Sequence, residues 1–335
     1  MQEKYELTWL AMKLVYTYKM EFQLPINEVL KVQKNFSQLL NEHHLSGLFY
    51  QFFNNSQLPI ECQQQYKKQW IHNSLILEEI AEINVVALKY NTTSAMLKGA
   101  HLLGEIYTDL GSRFLSDLDL LINPNDKVNF EKVLYECGYV NRFEEKFHGN
   151  HFKSDWFKLV GLVEINLELH TQLFFHLDQE HWDLKPSYLS QFYKLSDEDL
   201  VIHLCGHLAF QHNFLKLFWL FDLYFLLNQK KDKLNWAIIK SKSKDKQLYR
   251  SIQMCLWALS QYYGLSLGQY IEDLFKLKNK HWWQKYLTLD FLVYPHKNKK
   301  NYFIIKHATK DQLRTALYYN LTWFYHYKIE KFWSK

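Results

Sequence analysis

The chain has 335 residues, 48% of them hydrophobic and 17% aromatic, with only 10 Gly and 5 Pro. So few breakers among so many large side chains argue for a mostly helical, well-packed protein rather than a disordered or all-β one. A net charge of +5 permits an anionic partner without requiring one.

The chain start carries Glu3 and Glu6 and lacks the basic n-region and small-residue cleavage site of a signal peptide. The most apolar stretch, residues 214–227, is too short to span a bilayer and is interrupted by Lys216 and Asp222. Cys62, Cys137, Cys205 and Cys255 are scattered with no Cys-x-x-Cys pair, which predicts reduced, buried thiols and a cytoplasmic protein.

In chain order, residues 3–20 have helical apolar spacing, and a second helix is expected from Pro25 through Leu40, since Pro suits a first turn. A short helix follows near 45–53. Residues 60–89 contain neither Gly nor Pro and predict one long helix, with Trp70, Ile71, Leu75, Ile76, Ile80, Ile83 and Val86 as its apolar stripe. Residues 1–90 therefore predict a helical N-terminal region.

Residues 91–175 change character. Ala95-Met96-Leu97 is a short apolar run that turns at Lys98-Gly99, and helical spacing continues through Tyr107. Residues 116–122, Ser-Asp-Leu-Asp-Leu-Leu-Ile, alternate and then become wholly apolar, as a strand entering a core does. Asp117 and Asp119 are two apart, so a strand points both carboxylates the same way, roughly 7 Å apart along the chain. Such a pair repels unless a cation lies between, and hard oxygen ligands favour Mg²⁺ or Mn²⁺. A helix is expected from Pro124 to Cys137, closed by Gly138.

Three strand-like segments follow, at 139–143, 151–159 and 162–169. The last places Glu164, Asn166, Glu168 and His170 on one face. A polar row beside the Asp-x-Asp strand is where a third metal-binding carboxylate belongs. Glu168 is the first choice and Glu164 the alternative.

From about 178 onward the pattern predicts a helical C-terminal domain, residues 176–335. Ser196-Asp197-Glu198-Asp199 is a capping-box-like start. His203 and His207 share a helical face at zinc-ligand spacing, whereas His212 falls roughly opposite them if the helix stays regular. Asp222, alone in an apolar helix, must be paired if buried. Further helices are expected at 233–243, 246–263, 268–278, 281–293 and 309–330.

The Lys98-Gly99 turn, Arg113, Ser116 and Asp117-x-Asp119-Leu-Leu together resemble the DNA polymerase β-type nucleotidyltransferase superfamily, above all its bacterial uncharacterised nucleotidyltransferase branch. The same residues are similar to the abortive-infection nucleotidyltransferase toxins. Gly99-Ala100 stands where the superfamily usually has Gly-Ser. The resemblance covers about a quarter of the chain and implies an α+β fold, a small mixed sheet with helices flanked by N- and C-terminal helical regions.

It also implies a metal-dependent transfer of a nucleoside monophosphate from a nucleoside triphosphate, with Asp117, Asp119 and Glu168 as catalytic metal ligands. Lys98, Gly99, Arg113 and Ser116 would serve the nucleotide. His170, His207 and Asp222 would lie on the substrate side. The acceptor, whether protein, peptide, small molecule or RNA, is left open. Two other readings are a toxin-like enzyme acting on tRNA and a degenerate nucleotide- or partner-binding scaffold. A third, weaker one is a His/Asp metal hydrolase built on the 203–212 helix and Asp222.

Overall fold

In the computed structural model of the chain, residues 33–53, 60–142, 152–177, 180–187 and 192–324 are described. The helix expected at 3–20 and the first part of the one expected from Pro25 lie outside them. The chain divides into two compact units. One, the sheet unit, comprises Lys67–Leu200 and the described residues from Leu317; the other, the helical unit, comprises the described residues up to Tyr66 and Val201–Ala316.

The helical unit begins with α1 (Gln33–Glu42) and α2 (Ser46–Phe53). The chain then enters α3 (Ile60–Lys89), the long helix its lack of Gly and Pro predicts. Ile76, Ile80, Ile83 and Val86 of its expected stripe are buried, but Trp70 and Ile71 face solvent. Gln69 and Asn73 take the inward positions instead. Asn73 is fully buried because its amide donates to the carbonyls of Leu110 and Arg113, both at 2.7 Å. Buried backbone acceptors had to be satisfied there, and an apolar side chain cannot do that.

The sheet unit is built on β1 (Ser94–Met96), β2 (Leu118–Ile122), β3 (Val140–Asn141), β4 (Lys153–Val160), β5 (Val163–His170), β6 (Leu184–Pro186) and β7 (Tyr193–Leu195). Their order is β3-β4-β5-β2-β1-β7-β6. The sheet is mixed: β2 runs parallel to β5 and β1 parallel to β7, and the other neighbours are antiparallel. Leu118 to Ile122 are all buried, as the apolar run of β2 requires of a central strand.

Between β1 and β2 lies α4 (Lys98–Leu102), which stops well short of the expected Tyr107. Leu103 is extended and Gly104 takes φ +82°, closing a turn in which the Gly104 N–H donates to the Tyr107 carbonyl at 2.8 Å. After β2, Asn123 caps a short 3₁₀ turn that leads into α5 (Lys127–Glu136), as the Pro124 and Gly138 signals predict.

The strand expected at 139–143 shrinks to the two-residue β3, and Phe143 lies outside the described residues. The expectation of helix from 178 onward fails first at β6 and β7. These three-residue runs have no room for alternation, and sheet-edge pairing alone makes them strands.

The Ser196 signal holds. Its Oγ accepts the Asp199 N–H at 3.2 Å at the start of α6 (Asp197–Cys205). A π-helical segment, Gly206–Gln211, continues α6. Next come α7 (Leu217–Lys230), α8 (Trp236–Asp245), α9 (Tyr249–Tyr263) and α10 (Gln269–Leu274). They are followed by α11 (Leu289–Val293), α12 (Lys299–Ala308) and α13 (Leu313–Phe324). The helix expected over 281–293 exists only in its last part, because Thr288 caps it with a side-chain hydrogen bond to the Phe291 N–H. α12 was not anticipated; its start signal is Asn298, whose side chain accepts the Asn301 N–H. All four cysteines are buried free thiols, and no described helix is long and apolar enough to cross a membrane.

Candidate active site

The parallel pairing of β2 with β5 sets Asp119 directly beside Glu168 and Leu121 beside His170. β4 lies on the other side of β5, with Asp155 opposite Glu168 and Lys153 opposite His170. Directly paired residues share a face, so Asp119, Glu168 and Asp155 form one row across three strands. His170 is two residues beyond Glu168 on the same face. Lys98 follows β1, which flanks β2 on its other side.

These side chains converge. The Lys98 ammonium donates to Asp119 Oδ1 at 2.6 Å and lies 3.9 Å from Glu168 Oε2. His170 Nε2 is 2.9 Å from Asp119 Oδ1 and 3.3 Å from Glu168 Oε2. Lys153 Nζ reaches Glu168 Oε1 at 2.6 Å and Asp155 Oδ1 at 3.4 Å. Asp117 is half-buried just before β2, and Ser116 Oγ donates to its Oδ1 at 2.7 Å.

The electrostatics follow from burial competing with charge. Burial pushes Glu168 up, but the His170 hydrogen bond and the charges of Lys98 and Lys153 outweigh it and hold Glu168 well below the usual carboxylate range. Asp119 is lowered for the same reason: burial opposes ionisation, and Lys98 and His170 prevail. Burial alone would lower Lys98 and His170, but both are raised by the carboxylates they touch. Asp117 goes the other way: burial and the neighbouring Asp119 charge push it up to about 6.

Asp119, Glu168 and His170 each offer one ligand atom, all within 4.8 Å of one another, the one such group among the described residues. Two carboxylate oxygens and one imidazole nitrogen this close form a donor set that could hold a hard divalent cation.

Glu164 sits on the same face of β5 but four residues away, paired with Arg142 at 2.7 Å in an exposed ion pair. Gly99 is required by close approach. A Cβ there would collide with Leu115 Cδ2 and press on the Arg113 guanidinium, so only glycine fits beside these side chains. Arg113 is buried, and its guanidinium donates to the Phe114 carbonyl. Lys98 itself takes φ +45°, in the left-handed region that non-glycine residues seldom adopt.

His207 and Asp222 are buried in the helical unit. His212 does not lie opposite His207: the two rings are 4.4 Å apart and both pack on Trp219. A regular α-helix separates positions five apart by about 140°. The π-segment, closed by the His212 N–H to His207 carbonyl bond at 3.1 Å, brings them back onto one face. These histidines do not form a metal-ligating group among the described residues.

Lys153 and Asp155 were missed. Their signal was the Lys-Ser-Asp alternation at the start of β4, which becomes informative only once β4 is known to pair with β5.

An α+β architecture with a mixed sheet whose central strands carry in-register acids is of the nucleotidyltransferase type. Residues 32–264 match the family described as uncharacterised nucleotidyltransferase, and the chain belongs to that family. It is thus a phosphorus-group transferase that uses a nucleoside triphosphate, an assignment that does not extend to the abortive-infection toxins. No curated protein and no solved structure matches it.

Proposed function

We propose that the Asp119–Glu168–His170 cluster is the active centre and that it transfers a nucleoside monophosphate to an acceptor hydroxyl. The observation that carries this reading is the direct pairing of Asp119 with Glu168 and the convergence of their oxygens with His170 Nε2. Asp119, Glu168 and His170, with Asp117 beside them, would hold Mg²⁺ or Mn²⁺. When bound, the ion supplies charge neutralisation at the reacting phosphate.

The acceptor oxygen forms a bond to the α-phosphorus, and the bond from that phosphorus to the α–β bridging oxygen breaks. Pyrophosphate leaves with the bridging oxygen, and the acceptor proton passes to Asp117, the carboxylate beside the cluster whose proton affinity is raised. Lys98 is the cation on hand for the phosphates, since its ammonium already reaches both acids. Lys153 holds Glu168 ionised and oriented. Arg113 and Gly99 support this site by packing, which moves the nucleotide-binding role from the glycine turn to Lys98.

Calorimetry of each nucleoside triphosphate with Mg²⁺, on wild type and Asp119→Asn, tests the reading. Magnesium-dependent binding that the variant weakens about a hundredfold is expected. Binding that is indifferent to Asp119 would place the active centre elsewhere.

A further inference from the structure

Two basic segments of the helical unit close around one cavity. Residues 240–250 carry Lys240, Lys242, Lys244, Lys246 and Arg250 against the single acid Asp245, and residues 276–285 carry Lys276, Lys278, Lys280 and Lys285 against none. The cavity between them has a volume of about 470 Å³, with Lys244, Tyr249 and Arg250 from the first segment and His281, Trp282 and Trp283 from the second. That is the size range of small-molecule and nucleotide sites.

The packing fixes the aromatic part of this cavity. Trp283 is buried, stacked parallel on His281 at 5.2 Å and set edge-on to Trp257 at 5.3 Å. With Trp283 anchored inward, its neighbour Trp282 is driven out and stays 55% exposed. Tyr249 is held by stacking on Phe275, with Lys244 Nζ 5.7 Å above its ring.

The charges are available. Among the described residues neither Lys244 nor Arg250 has a carboxylate within ion-pair distance. Asp311 also lines the cavity, within electrostatic reach of Arg250, and its carboxylate accepts the Tyr249 and Arg250 backbone N–H groups at 2.9 and 2.7 Å. A basic run alone is a solvated surface. A run of cations facing an exposed indole across a nucleotide-sized cavity is the composition of a stacking platform with a phosphate track.

We propose that this cavity binds a single-stranded polynucleotide, one base stacking on Trp282 and the adjoining phosphate lying between Lys244 and Arg250. The binding site stands on the helical unit alone. Its further implication, that the acceptor of the transferase is a polynucleotide, rests on the proposed function.

The test is fluorescence anisotropy of the full chain with a short labelled single-stranded RNA, a DNA of the same sequence and the corresponding duplex. It is run with chelator and without nucleoside triphosphate, so the outcome does not depend on the acidic cluster. Saturable binding of a single strand is expected, weakened about tenfold by Trp282→Ala and kept within about threefold by Trp282→Phe. Lys244→Gln with Arg250→Gln should lower affinity and reduce the salt slope by about two. Circular dichroism confirms that each variant is folded, as substitution of the exposed Lys244 and Trp282 and the half-buried Arg250 allows. Absence of single-strand binding, indifference to Trp282→Ala, or equal affinity for the duplex would each overturn the proposal. Nucleotidyl transfer by the acidic cluster is measured separately and stands or falls independently of strand binding.

Discussion

Glu164 and Glu168 stand on the same face of the same strand, roughly 13 Å apart, and are chemically different groups. Glu164 meets one arginine in solvent, where an ion pair contributes little. Glu168 meets Lys98, Lys153 and His170 beside the buried Asp119. Alternation put both on one face, with Glu168 the first choice and Glu164 the alternative. The register of the neighbouring strand separates them, because only position 168 lies opposite an aspartate.

The largest effect expected from this contrast is on stability. Lys98→Met leaves Asp119 and Glu168 without their shared ammonium and should cost about 3 kcal/mol in metal-free buffer, read from denaturant unfolding. Added Mg²⁺ should recover part of that loss, because the ion binds the native cluster. A loss below about 1 kcal/mol would mean that the cluster is as solvent-screened as the Glu164 end.

Next in size is activity. Glu168→Gln should lower nucleotidyl transfer by about a hundredfold, while Glu164→Gln leaves the rate unchanged, measured with labelled nucleoside triphosphate. Equal losses would return the two glutamates to the same footing.

The pH dependence is smaller, and its sign follows from the direction of each shift. Asp117, raised from 3.8 to about 6, contributes stability that is lost as pH rises through that interval. His170, raised above 6.5, contributes stability present below 6.5 and lost as pH rises through its folded value. Glu168, lowered from 4.5, contributes stability present above 4.5 and lost as pH falls below it. The melting temperature of the metal-free protein should therefore decline from about pH 5 to above pH 7, and Asp117→Asn should remove the portion below pH 6. A flat profile would contradict the crowding at Asp117. The smallest effect is at the exposed end: Arg142→Gln should change stability by no more than about 0.5 kcal/mol in a thermal melt.

The legibility of this chain varied with how local each signal was. Caps and breakers act within one turn, so Ser196, Pro124 and the uninterrupted 60–89 run could be read directly. Asp119 on an apolar strand, though not Asp117, which precedes that strand, and the polar face of β5 were likewise visible, since side-chain alternation is a property of a single strand. Trp70 and Ile71 misled because apolar spacing does not reveal that two buried carbonyls need Asn73 on the inward face. β6 and β7 are too short to carry a pattern.

The acidic strand, the third carboxylate's strand and the family they belong to were determined by the sequence itself, through alternation and the Lys98-Gly99 and Asp-x-Asp motifs. Tertiary structure alone decided which glutamate faces Asp119, that Lys98 rather than Arg113 answers the carboxylates, and that Lys153 and Asp155 join them. Strand register and side-chain convergence depend on residues tens of positions apart. No local propensity encodes those distances; packing of the whole sheet selects them.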